Sequence, residues 1–222
     1  MSAPYPLLSR ALLFSGLACL VLPAAGCVGL AAQLLYMVNG GDKVKPEFTG
    51  LKGKKVAVVC VAANSSTGPS SVAGQLERSV GLLLTQKGDK IDVIPSDKVA
   101  DWIDRNDWNQ VDYKEIGRGV KANMVLAIDL DGVRLHEGKT LYKGRASVVV
   151  TVYDMTDDGK VVFRRDLTDF SFPKNGARHS TEMSEARFQR LFVEVLAQQV
   201  GKYFYSYRRE ENFANDALLL DG

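Results

Sequence analysis

The sequence predicts an α/β fold: a mixed sheet of about five strands with helices packed on it, in the order β-α-β-α-α-β-β-β-α. Three observations carry that expectation. From Lys54 the chain alternates short β-branched runs with stretches of helical spacing, as parallel crossovers do. After Asn123 the pattern becomes three long strand-like runs joined by tight turns, which is the mark of an antiparallel meander. The run KKVAVVCVA at Lys54–Ala62 is apolar at successive positions, so it suits a central strand buried on both faces.

The elements follow in order. After the first strand comes NSSTGPSS, a loop rich in turn formers. A helix is expected from about Ser71 to Gln86, with Val72, Leu76, Val80 and Leu83 at helical spacing. IDVIP reads as a second strand. Ser96 or Asp97 is expected to cap the next helix, where Val99, Trp102 and Ile103 share a face. Asp112 followed by Glu115 three residues on is a capping-box pattern opening a third helix, with Ile116 and Val120 turned inward. MVLAIDLDGVRL, LYKGRASVVVTVYDM and KVVFRRDLTDFSF are the meander; HEGK joins the first pair and TDDGK, with its Asp-Gly, joins the second. A long helix from about Ser180 to Tyr207 closes the domain.

The 222 residues suffice for one domain of ordinary size after an N-terminal targeting segment, with a core that needs no staples. The division expected is a signal or anchor over 1–26, a linker over 27–52, one α/β domain over 53–211 and a tail over 212–222. Hydrophobic and charged fractions of 46% and 24% are those of a folded protein. A net charge of +2 gives no reason to expect nucleic acid as a partner. Of the three cysteines, Cys60 sits within an apolar run and reads as an inert core thiol. No C-x-x-C spacing is present.

The N-terminus speaks of address. MSAPYPLLSR carries one basic residue, Arg10, and leads into ALLFSGLACLVLPAAGC, an apolar run ending in small residues. AAGC resembles the box at which bacterial lipoprotein signals are cut, although Ala24 stands where Leu is usual. Cleavage there would leave Cys27 as the site of lipid attachment, and several acyl chains (palmitate or similar) hold a protein stably at a membrane. The alternative is an uncleaved helix from about Leu17 to Val38, long enough to span, since the apolar run continues past Cys27. Lys43, Lys45, Lys52, Lys54 and Lys55 follow, a bias that would favour a cytoplasmic domain on that alternative. Each reading tethers the domain to a membrane.

EIGRGVKANMVLAIDLDGV with VVVTVYDMTDDGKVVF resembles a pattern of bacterial envelope proteins: a helix ending near Gly-x-x-x-x-Ala, a strand ending at glycine, then a hairpin. It is similar to the domain of curli-secretion lipoproteins, of penicillin-binding-protein activator lipoproteins and of the N-terminal part of TolB. The resemblance follows element order over Lys54–Tyr207 and is close over Glu115–Phe163. It implies a non-enzymatic periplasmic module that docks partners or builds oligomers. No pore-forming insertion is evident, so it does not imply a channel.

Candidate chemistry is sparse. His136 and His179 stand in separate turns without companions, so no metal site is expected. Asp129 and Asp131 alternate onto one strand face as a carboxylate pair or as a solvated strand end. DMTDDG begins like a calcium loop, but Arg165 stands where the closing Glu belongs. GRGVKA fits a dinucleotide fingerprint only in letters, for it leaves a helix and enters a strand. The loop residues Ser65, Ser66, Thr67, Gly68, Ser70 and Ser71 precede a helix N-terminus and are candidates for holding an anion. On the last helix, ten apolar residues from Phe188 to Tyr207 spread over roughly 220°, more than one sheet contact covers. Tyr205, Tyr207, Arg208 and Arg209 are therefore candidates for an interface with a second copy or an envelope protein. The function expected is a membrane-anchored, non-catalytic binding or assembly module with no cofactor. The alternative is a small-molecule or anion-binding, enzyme-like domain using the loop with Asp129 and Asp131.

Overall fold

The computed structural model describes residues 43–63, 71–106 and 112–208. From Val44 onward these belong to one compact unit. Its main elements are β1 (Lys55–Ala62), α1 (Val72–Lys87), β2 (Asp92–Val93), α2 (Ser96–Arg105), α3 (Tyr113–Gly119), β3 (Met124–Glu137), β4 (Leu141–Asp154), β5 (Lys160–Phe172), β6 (Arg178–His179) and α4 (Glu185–Gly201). The sheet runs β2-β1-β3-β4-β5, with the short β6 pairing β4 beyond the end of β5. β1 is parallel to both β2 and β3, and β3, β4 and β5 are successively antiparallel. The fold is the expected mixed sheet, of six strands.

The alternation of β1 sorts its side chains onto two cores. Val56 and Val58 join Leu126, Ile128, Val150 and Val152 under α1 and α4. Ala57 and Val59 join Val125 and Ala127 under α2 and α3, where Val99 and Ile116 are buried. Among the described residues, the second face is covered by helices only at its parallel end. Beyond it the antiparallel half stands open, as such sheets commonly do.

Local chemistry explains the boundaries. Ser71 caps α1, its hydroxyl accepting from the Gly74 N–H at 3.1 Å. Asp112 caps α3 through the N–H groups of Lys114 and Glu115. Neither Ser96 nor Asp97 caps α2. Pro95 takes that position with an extended backbone and no side-chain bond, and Ser96 is the first helical residue. At TDDGK the turn is made by Asp158 and Gly159, both at positive φ (49° and 69°). The last helix is shorter than expected. Residues 178–179 are still paired to β4, so α4 begins only after Ser184, whose hydroxyl accepts from Arg187 N–H, and it ends at Gly201.

The wide apolar arc of α4 is accounted for by two neighbours. Phe188 and Phe192 pack on the sheet; Phe192 lies against Gly144, where a Cβ would come within 2.1 Å of its ring. Val193 and Ala197 turn towards α1, which lies alongside. Beyond the helix, Phe204 continues the core by stacking edge-on with Phe48 and Phe163.

Candidate functional site

The end of one strand and the middle of its neighbour bring the titratable candidates together. Ala62 is in register with Leu130, so the C-terminal end of β1 lies beside the middle of β3. On one face is Cys60, whose backbone N–H donates to Oε2 of Glu77 on α1 at 3.2 Å. On the other is Asp129, which accepts a hydrogen bond from the Tyr113 hydroxyl. Tyr113 in turn stacks on Tyr153, ring centroids 5.7 Å apart.

The electrostatics of this cluster hold protons in place. Burial pushes the Cys60 thiol far above its ordinary value, and Glu77 and Asp129 add to the effect. Burial also raises the Tyr113 hydroxyl, with the Asp129 carboxylate opposing its ionisation. Glu77 itself is raised to about 7, chiefly by burial, with the Cys60 N–H and Arg78 pulling the other way. A nucleophile needs its pKa lowered towards neutrality. Here the two candidates are moved the wrong way.

Most of the residues singled out in the sequence do not converge here. Asp129 and Asp131 share a face, but Asp129 is engaged by Tyr113 and Asp131 accepts from the Gly132 N–H at 2.8 Å. His136 lies 3.8 Å from Glu185 and against the Tyr142 ring, while His179 is in β6. No group of three metal-ligating side chains occurs among the described residues. Gly117 of GRGVKA lets α3 close on β3: a Cβ there would lie 2.6 Å from Val125. Its glycine is a packing device. Ser71 spends its hydroxyl on the α1 cap, whereas Cys27, Ser65, Ser66, Thr67, Gly68 and Ser70 lie outside the described residues.

One candidate surface residue is corrected. Tyr205 is 3% exposed. After α4 the chain turns back over Gly201, where a Cβ would come within 2.6 Å of the Tyr205 ring, and Lys87 stands 5.5 Å above that ring. Tyr205 is therefore core. Tyr207 is half-buried under Lys202, Arg208 is exposed, and Arg209 lies outside the described residues.

The feature that sequence reasoning missed is on α1. A mainly apolar groove of about 600 Å³ opens between α1 and α4, with Leu82, Leu83, Val193 and Ala197 in its walls and Arg78 and Arg190 among its charged residues. A second cleft of about 240 Å³ lies on the other flank of α1, against β2 and the start of α2, and Glu77 lines it. Leu82 borders both and is 57% exposed. Its only signal in the sequence was an apolar residue beside Leu83 and Leu84, of which one had to point outward.

No family model matches the chain, and no curated protein matches it. Several solved structures are similar at low identity. The PelC dodecamer from Paraburkholderia phytofirmans is 15% identical, with 74% of this chain and 96% of that one covered, at a TM-score of 0.41. Lipoprotein GNA1162 from Neisseria meningitidis is 16% identical, covering 66% and 97%, at 0.42. The LpoB C-terminal domain from Salmonella enterica is 13% identical, covering 62% and 94%, at 0.35.

Proposed function

We propose that this chain is a membrane-tethered binding or assembly module of a bacterial envelope, not a catalyst, and that its partner docks on the outer surface of α1. The observation that carries the reading is Leu82, a large apolar side chain held in solvent as a ridge between two clefts. A ridge flanked by grooves is the shape that receives a helix or apolar edge of another protein. The protonated Cys60 and Tyr113 support the non-catalytic half of the proposal. The tether is supported by the apolar N-terminal run and AAGC, with lipid on Cys27 and a domain on the periplasmic side.

The test is a crosslinked pull-down of tagged full-length chain from intact cells, comparing wild type with Leu82→Asp. A protein, or a second copy, that is captured by the wild type and lost from the variant supports the proposal. Equal recovery from both would remove the docking face. Cys27→Ser in the same cells separates the two tethers: a lipoprotein loses its fatty-acid label and its cleavage, whereas an uncleaved span stays in the membrane unchanged.

A further inference from the structure

A third cavity lies at the opposite end of the strands from the cysteine–tyrosine cluster. It measures about 430 Å³ and is bounded by the starts of β1 and β2, one side of α2 and the end of α3. Lys55, Lys98 and Arg105 line it, against a single carboxylate among the described lining residues, Asp92. The indole of Trp102 forms part of its wall and packs on Gly119, where a Cβ would come within 2.0 Å of the ring nitrogen.

The described lining thus carries two more positive charges than negative ones. Arg105 is shared with Asp101 at 3.5 Å, a pair whose two side chains are both mostly exposed and so weakly held. Lys55 and Lys98 make no ion pair among the described residues. Their backbones are fixed instead. Asn123 accepts from the Lys55 N–H at 2.9 Å and donates its own N–H to the Lys55 carbonyl at 2.7 Å, and Lys98 is held in the first turn of α2. Like charges held around a concavity focus a positive potential within it. Lysines as point charges and arginine as a planar fork are the side chains that bind phosphate oxygens. An indole alongside offers an apolar face with an N–H at its edge, the combination that sits at the boundary between headgroup and acyl chain.

We infer that the cavity between β1, α2 and α3 is a binding site for a phosphate-ester anion, held by Lys55, Lys98 and Arg105 with Trp102 as its apolar wall. The volume is that of a small-ligand site. Two sources carry this chemistry: the headgroup of an anionic phospholipid and a soluble phosphate ester. The lipid source rests on the tether proposed above. The soluble source does not depend on the tether.

The experiment uses full-length protein in nanodiscs and measures the acylation rate of single lysines by an amine-selective reagent, read by peptide mass spectrometry. Lys139, in the turn between β3 and β4, is the internal control. Discs of phosphatidylcholine alone are compared with discs containing phosphatidylglycerol, and with phosphatidylcholine discs to which glycerol phosphate is added. Slowing of Lys55 and Lys98 by about threefold or more relative to Lys139, weakened by added salt, supports the site. Protection by phosphatidylglycerol assigns the lipid source; protection by glycerol phosphate alone assigns the soluble one and leaves the anion site standing without the membrane contact. In Arg105→Gln, whose side chain is 76% exposed so that folding is little affected, the protection of both lysines should fall. Rates at Lys55 and Lys98 that track Lys139 in every arm, or protection equal in wild type and Arg105→Gln, would overturn the inference.

Discussion

Replacing Glu77 by glutamine should remove a fall in this domain's stability as pH rises towards neutrality. Glu77 is part-buried on α1, between the Cys60 N–H that it accepts and a cleft of about 240 Å³. Burial holds its carboxyl at about 7, above the ordinary glutamate range. The folded chain therefore binds this proton at pH values where the unfolded chain has released it. Between about 4.5 and 7 the native state carries more protons than the unfolded state, so stability falls as pH rises through that window. At about 1.36 kcal/mol per pH unit the ceiling on the loss is on the order of 3 kcal/mol. Solvent screening at this part-buried carboxyl reduces it, so roughly 1–2 kcal/mol is the expectation. Glutamine keeps an oxygen for the Cys60 N–H and never ionises. Glu77→Gln should match the wild type near pH 5 and exceed it near pH 8. Glu77→Leu, which strands the N–H, should be weaker by about 1–3 kcal/mol near pH 5, where Glu77 is protonated. Urea unfolding of the full-length chain in detergent at pH 5, 6, 7 and 8 reads all three. Parallel pH profiles for wild type and Glu77→Gln would refute the assignment of the raised carboxyl.

Three further outcomes are expected. Tyr205→Ala should cost about 3 kcal/mol or more of stability, because it empties a buried site over Gly201, while Tyr205→Phe should cost far less; melting curves compare them. Gly144→Ala should lower stability by about 1–3 kcal/mol, since its methyl would meet the Phe192 ring at 2.1 Å and that ring is walled in by the core. Leu82→Asp should leave the melting temperature within about a degree or two of wild type, as its side chain is mostly in solvent, so any loss of partner capture reports docking and not unfolding.

The fold was legible because its signals are local. The unbroken apolar run of β1 announces burial on two faces, and Asp112 announces a cap that the structure contains. The end of α4 was not legible. Phe204, Tyr205 and Tyr207 continue the apolar periodicity, yet after Gly201 the chain turns back and buries Tyr205. Periodicity reports which residues want cover, not whether the backbone stays helical to provide it. The cluster at the end of β1 was partly visible, in Asp129, but Glu77 and Tyr113 reach it from other elements and carry no motif. Likewise Lys55, Lys98, Trp102 and Arg105 meet only when β1 is laid beside α2. The exposed Leu82 is a matter of three consecutive leucines on a helix, whose outward member is fixed by packing alone.

The most direct measurement of the proposed role is photocrosslinking in intact cells from a photoreactive residue placed at position 82, with a second probe at position 139. A docking face on α1 predicts a discrete adduct at 82, either one protein species or a second copy of this chain, with none of comparable yield at 139. If position 82 gives no adduct, or only the same diffuse labelling as position 139, the ridge between the two clefts meets solvent alone and the account of this domain as a docking module is contradicted.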